Sequence, residues 1–349
     1  MTPRPITFCV PGDIAAQTGG YLYDRRLIEG LRAAGRKVSL LSMPPGFPAP
    51  SPAEMAEALA GLRGIPAGHV AIIDGLALGA LETAGLAAMA APFTALVHHP
   101  LAMEGGLAPA RRNHLHRTER ANLRLARHVL VPSPHIAALL TAEYGVPAEK
   151  ITVARPGTDR PVAMAREPAM PPLILSVGLL HPRKGHDVLI AALRRIADRD
   201  WQAVIVGNPW DTPHVEALER QVAESGLGDR LRIAGALPDA ELARLYRRAS
   251  LFALATRYEG YGIVFDEALA HGLPIVSCRT GAVPDTVPEA AGLLVPPDDC
   301  AAFAAALAAM LDDPARMRTM AHAAAQAGAA LPGWDDTARI ANEVLGRIP

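Results

Sequence analysis

The chain offers no basis for a disulfide framework. Its 349 residues hold three cysteines, Cys9, Cys278 and Cys300, which are dispersed and form no C-x-x-C pair. A reducing, cytoplasmic compartment is the expectation. Aromatic residues make up only 4%, so small side chains, alanine above all, must fill the cores. Excess charge is also missing: the formal net charge is −1 and the pI near 6.9. Without a basic field, nucleic acid is excluded as a partner. The opening MTPRPITFCVPGD has an apolar run too short for a signal-peptide h-region. The longest apolar stretch, residues 76–97, is interrupted by Glu82 and Pro92. It reads as a helix, a proline break and a short strand, since a membrane span needs about 20 unbroken apolar residues.

What is present is an ordered alternation. Half of the residues are hydrophobic and 20% are charged, as in a folded globular protein, and the length suits two domains. Short apolar runs such as ITFCV (6–10), HVAIID (69–74), FTALVHH (93–99) and HVLVPS (128–133) read as strands. Helical patterns such as YLYDRRLIEGLRAAG (21–35) lie between them. A proline-rich segment, RPGTDRPVAMAREPAMPP (155–172), breaks the pattern. The alternation then restarts with LILSVG (173–178), WQAVIVG (201–207), SLFALA (250–255) and LPIVSC (273–278). Such alternation predicts an α/β protein of two Rossmann-like, doubly wound parallel-sheet domains facing across a cleft. The expected boundaries are 1–160, a linker over 161–172, 173–332, and a last helix over 333–349 that the sequence alone does not place.

One segment concentrates the chemistry. In RYEGYGIVFDEALAHGLPIV (257–276), Glu259 and Glu267 bracket Gly260 and Gly262 where a strand ends and a helix starts. Glycines there let a ligand approach the main chain, and the first-turn amides of a helix favour an anion. An ionised carboxylate is acceptor-only, so it binds hydroxyls. A sugar nucleotide offers a diphosphate and hydroxyls together. The plainer reading is a turn followed by helix surface charge. GYGIVF only imitates G-x-G-x-x-G, since Phe265 stands at the third glycine, so a nicotinamide site is set aside.

This segment resembles the donor-site signature of the family 4 retaining glycosyltransferases of B-type fold. SVGLLHPRKGHDVLIAAL (176–193), RTGAVPDTVPEAAGLLVPPDD (279–299) and GGYLYDRRLIEGLRAAGRKV (19–38) are similar to further family stretches, in order and spacing. The resemblance implies an acceptor-side N-terminal domain and a donor-binding C-terminal one. It also implies transfer of a sugar, a hexose as the family prior, from a UDP- or GDP-sugar. The acceptor would be a glycan, a lipid-linked molecule or a small molecule. Glu259 would contact the transferred sugar and Glu267 the ribose, with Gly260, Tyr261 and Gly262 offering main-chain donors. Gly19 and Gly20 would form a loop facing the diphosphate, and His98 and His99 would lie near the reacting sugar. Arg183 and Lys184 would neutralise the departing diphosphate. Leu179 stands where the family commonly carries arginine, a charge that Arg183 can replace, and Asp285 stands for the usual glutamate.

The family works without cofactor or metal. No D-x-D triplet lies in the segments expected at the cleft, and His114 and His116, two apart on a helix, do not share a face. Arg117, Arg120, Arg124 and Arg127 follow 3–4–3 spacing and are expected along one helix face. The bland reading is a solvated stripe; the other is weak contact with anionic headgroups at the inner membrane face. Two further classes stay open: a B-fold sugar-nucleotide epimerase and a non-catalytic sugar-nucleotide-binding protein.

Overall fold

The computed structural model describes residues 3–160, 166–209 and 211–348. The chain divides into two compact units, Met1–Gly157 with Pro332–Pro349, and Thr158–Leu331. In the first unit, β1 (Ile6–Pro11), β2 (Val38–Met43), β3 (Val70–Asp74), β4 (Phe93–Leu96), β5 (His128–Val131) and β6 (Ile151–Val153) form a parallel sheet in the order 2-1-3-4-5-6. In the second, β7 (Leu173–Val177), β8 (Gln202–Val206), β9 (Leu231–Gly235), β10 (Leu251–Leu254), β11 (Ile275–Cys278) and β12 (Gly292–Val295) form a parallel sheet in the order 12-11-10-7-8-9. That is the strand order of a dinucleotide-binding sheet. It reverses between β7 and β10, and the loops leaving these two strands diverge at the carboxyl edge.

The sequence folds this way because the central strands carry no polar alternation. β1, β3, β4, β7, β10 and β11 are buried at every residue, as strands covered by helices on both faces must be. Each sheet therefore has an apolar core on either side. In the first unit Leu62, Ile73 and Leu123 fill one face and Leu27, Ile72 and Leu96 the other. In the second, Leu193, Trp201 and Phe303 lie on one face and Leu175, Phe252 and Phe265 on the other.

The last helix, Trp334–Gly346, belongs to the first unit. Ala338, Ala341, Val344 and Leu345 join Leu27, Ile28 and Leu31 of the first helix, Gly19–Ala33. Gly30 permits the approach, because a Cβ there would come within 2.4 Å of Ala338 Cβ.

Several expectations need correction. Residues 76–97 form two short helices, Gly75–Leu78 and Thr83–Ala87, ahead of β4. Asp74 caps the first by accepting from Leu76 N, and Glu82 begins the second. Gly19 and Gly20 are the first turn of a helix capped by Thr18, not a loop. The arginine-bearing helix spans Pro109–Leu125. Arg127 lies beyond it, its backbone N–H donating to Phe93 O at 2.8 Å, so only Arg117, Arg120 and Arg124 are on that helix. Of the expected linker, residues 161–165 lie outside the described residues. The part that follows is fixed on the second unit: Arg166 donates to Gly272 O at 2.9 Å and to Ala249 O at 2.7 Å. Among the described residues, no helix is long and apolar enough to cross a membrane.

Candidate active site

The loops after β7 and β10 bring one carboxylate between two cations. The chain leaves β7, turns through the short 3-10 segment Pro182–Lys184, and reaches Gly185 in the left-handed region at φ 64°. That turn presents Lys184 and Arg183 toward the segment that follows β10. Lys184 Nζ donates to Glu259 Oε1 at 2.6 Å, and Arg183 Nη1 lies 3.7 Å from Oε2. Thr256 Oγ1 is within donating distance of the same Oε1 at 3.0 Å, and Arg183 also donates to Tyr258 O at 3.1 Å. Glu259 is buried, with 4% exposure, as is Lys184 with 9%. Burial pushes the Glu259 carboxyl up. The charges of Lys184 and Arg183, with hydrogen bonds from Lys184 and Thr256, outweigh it and hold the group below the usual carboxylate range.

The helix Ile263–Ala270 starts directly after Gly262, whose φ of 90° favours glycine. Glu267 takes a separate partner: the Tyr246 hydroxyl donates to its Oε2 at 2.7 Å. Burial raises the Glu267 carboxyl above its ordinary value; Tyr246 opposes the shift, and Asp159 and Asp239 add to it. Tyr261 is anchored by its hydroxyl to Asp266 Oδ2 at 2.5 Å. Buried His186 donates its Nε2–H toward Gly178 O and Leu179 O, fixing the loop after β7. Burial lowers its pKa to about 4, which leaves the ring neutral. Asp285, in the turn Val283–Thr286, is exposed.

In the first unit, His98 follows β4 and points its Nε2 at Asp24 Oδ1, 3.0 Å away, and at Asp74 Oδ2, 3.5 Å away. Gly20 lies against the same ring: a Cβ there would meet His98 Cδ2 at 3.3 Å. His99 Nε2 pairs instead with Glu104 Oε1 at 2.5 Å. Burial, reinforced by the charge of Asp24, raises the Asp74 carboxyl to about 7, against the opposing charge of His98. A carboxyl raised on folding stabilises at acid pH, and that stability is lost as pH climbs through the folded value. The first unit should therefore melt at progressively lower temperature from about pH 4 to 7, and Asp74→Asn should flatten that slope. Calorimetry across pH measures both.

The structure thus brings Arg183, Lys184 and Glu259 into direct contact and sets Glu267 beside Tyr246. His98 and His99 face different partners, and His114 is exposed while His116 packs against Tyr144. A family profile described as Glycosyl transferases group 1 matches residues 162–327, and one described as Glycosyltransferase Family 4 matches residues 44–160. The chain belongs to the group 1, family 4-type glycosyltransferases. It resembles the solved sucrose-phosphate synthase of Thermosynechococcus elongatus, with 26% identity, a TM-score of 0.82 and 98% of each chain covered. It shares its fold with WaaG, a glycosyltransferase involved in lipopolysaccharide biosynthesis, at a TM-score of 0.76 and 18% identity, over 97% of this chain and 99% of that one. The D-inositol 3-phosphate glycosyltransferase of Kineococcus radiotolerans is 33% identical over 232 residues, covering 58% of this chain and 53% of the relative. That of Corynebacterium efficiens is 36% identical over 177 residues, covering 48% and 42%. The chain spans about half the length of these curated relatives. The sequence alone left Thr256, Tyr246, His186, Asp24 and Asp74 unmarked. Only Asp74 carried a signal, as an acid at the carboxyl end of a buried strand.

Proposed function

We propose that this glycosyltransferase moves a hexose from a UDP- or GDP-sugar to an acceptor hydroxyl, with retention and without metal. The observation that carries the reading is Glu259 buried between Lys184 and Arg183 at the strand-order reversal of the second sheet. The donor diphosphate lies along the loops after β7 and β10, where Gly260, Tyr261 and Gly262 offer main-chain donors. As the bond from the anomeric carbon to phosphate oxygen breaks, Lys184 and Arg183 take up the charge left on the diphosphate. Glu259 accepts from sugar hydroxyls and Glu267 from the ribose. The acceptor oxygen attacks from the same face, and its proton passes to a phosphate oxygen of the leaving group. In the first unit, His98 and His99 serve the reacting sugar.

The relatives named D-inositol 3-phosphate glycosyltransferase and sucrose-phosphate synthase put phosphorylated polyols and sugars first among small-molecule acceptors to test, ahead of glycans and lipid-linked ones. A lipid-linked acceptor would make use of exposed Arg117, Arg120 and Arg124 against anionic headgroups. Flotation with anionic vesicles at low salt tests that contact, and no binding removes it.

A thermal-shift panel of nucleotide sugars tests the main reading. A true donor at 100 times its Kd adds about 2.7 kcal/mol. Its slow hydrolysis should vanish in Glu259→Ala, an outcome that a non-catalytic binder would not give. Arg183 stands in for the charge absent at Leu179, so Arg183→Ala is expected to weaken donor binding about 10- to 100-fold, the range for a charge-assisted hydrogen bond. Calorimetric titration with the nucleoside diphosphate measures it, and unchanged affinity removes Arg183 from the site.

A further inference from the structure

Arg257, just beyond β10, gathers the loops at the carboxyl edge of the second sheet. Its Nη1 and Nη2 donate to Asp187 Oδ1 and Oδ2 at 3.0 and 2.7 Å, a bidentate pair. Its Nε donates to Asp298 Oδ1 at 2.7 Å, and Nη1 also reaches Pro182 O. Asp187 lies in the first turn of the helix His186–Arg195, directly after the turn that carries Lys184. Asp298 follows β12, which is separated from β10 by β11. One guanidinium therefore ties together the segments that leave β7, β10 and β12. The backbone N–H of Arg257 adds a bond to Arg183 O at 2.8 Å.

Asp298 sits in an unusual backbone conformation. Its φ of 59° makes it the one non-glycine residue in the left-handed region among the described residues, a state that persists where the surroundings fix it. Burial pushes the Asp187 carboxyl up, but the hydrogen bonds and charge of Arg257 outweigh it and hold the group below its ordinary value. The side chains of Arg257, Asp187 and Asp298 are 31%, 39% and 60% exposed. Ion pairs so open to water add little to stability, so their main effect is on the local field. With Nε, Nη1 and Nη2 all donating to protein acceptors, Arg257 is not itself placed to take a phosphate. Without it, two carboxylates would stand unpaired on the edge that carries Arg183 and Lys184.

We infer that Arg257 is a positioning residue: it withholds Asp187 and Asp298 from the cationic turn, so that Arg183 and Lys184 stay available to the diphosphate of the donor. This rests on the proposed transfer reaction, with the diphosphate along the loops after β7 and β10. An unpaired carboxylate on this edge acts twice, repelling the incoming anion and competing with it for the same cations. Arg257 removes both effects by pairing the two acids with each other's neighbour loops, and it does so without touching the substrate.

Calorimetric titration of the full chain with UDP and with GDP, at low and high salt, tests this. For the nucleotide that wild type binds, Arg257→Ala should weaken affinity about tenfold at low salt. At about 1 M salt, where charges more than about 3 Å apart are screened, the gap should shrink to about twofold. Arg257→Ala combined with Asp187→Asn and Asp298→Asn should bind at least as tightly as wild type, because no acid is left to pair. A role in packing alone would not be repaired by removing the two acids. Arg257→Lys, which keeps the charge but loses the bidentate geometry, should fall between wild type and Arg257→Ala. Asp187→Asn with Arg257 in place should leave binding unchanged or tighter, which keeps the test open if Arg257→Ala does not fold. Unchanged affinity in Arg257→Ala, a loss equal at both salt concentrations, a loss that the triple variant fails to repair, or weaker binding in Asp187→Asn overturns the inference. Wild type that binds neither nucleotide strikes the transfer reading itself, and the inference with it.

Discussion

Glu259→Gln is expected to lower the transfer rate by about 100- to 1,000-fold while leaving a nucleoside diphosphate bound at least as tightly. The two effects separate because, in the proposed reaction, Glu259 and the diphosphate compete for the same cations. In the free protein Lys184 spends its charge on Glu259 at 2.6 Å. The amide keeps the shape and an acceptor oxygen, but it can no longer balance Lys184 and Arg183, and breaking a buried pair from one side costs about 3–5 kcal/mol. The variant should therefore melt early when empty and regain much of the loss when the diphosphate supplies the missing negative charge. Its pH dependence follows the same logic. Glu259 is held below its ordinary value, so its contribution is present above the ordinary carboxylate range and fades as pH falls through the lowered value. Glu259→Gln should lack that part of the acid-side loss. Kinetics with a donor from the panel, and melting with and without nucleotide, measure both. A variant that binds the diphosphate more weakly than wild type would mean that the carboxylate, not the cations, holds the phosphates.

The second large effect is expected from Gly185→Ala. Gly185 joins the turn bearing Arg183 and Lys184 to the helix His186–Arg195 at φ 64°. A Cβ at this position would stand 1.9 Å from the carbonyl oxygen of Ala255, at the end of the β10 segment. The left-handed backbone costs a residue with a side chain about 1–2 kcal/mol, and forced repacking adds about 1–3 kcal/mol. The neighbour is backbone and cannot swing away. A loss of about 2–5 kcal/mol is expected, or roughly 5–20 °C in Tm for a unit of this size, together with lost activity, because the displaced turn carries Lys184. A variant melting within about 2 °C of wild type would show that the loop after β7 is free to move away from β10.

Much of the architecture was legible because burial on both faces leaves a mark on composition. ITFCV, HVAIID, LILSVG and SLFALA are continuous apolar runs, and each became a central strand buried at every residue. β6 and β12 escaped notice because they are short edge strands, partly exposed, with no such mark. The site was legible to the extent that its residues are neighbours in sequence. Gly260 and Gly262 between two glutamates mark the turn that feeds the helix Ile263–Ala270, and Arg183 beside Lys184 marks cations after a strand end. What pairs with what was not legible. Residues 75 positions apart meet in the Lys184–Glu259 contact, and residues 74 apart in that of His98 with Asp24.

By itself, then, the order of residues determined two doubly wound sheets, a Gly-rich turn feeding a helix, and a cationic turn after β7, because each rests on local periodicity or on adjacent residues. The tertiary structure alone decided that Glu259 belongs to the two cations and Glu267 to Tyr246. It also decided that Asp24 and Asp74 close on His98, and that the final helix returns to the first unit against Gly30. These are long-range meetings of single side chains. They are set by the strand order and by how closely two backbones can approach, and neither leaves a periodic trace along the chain.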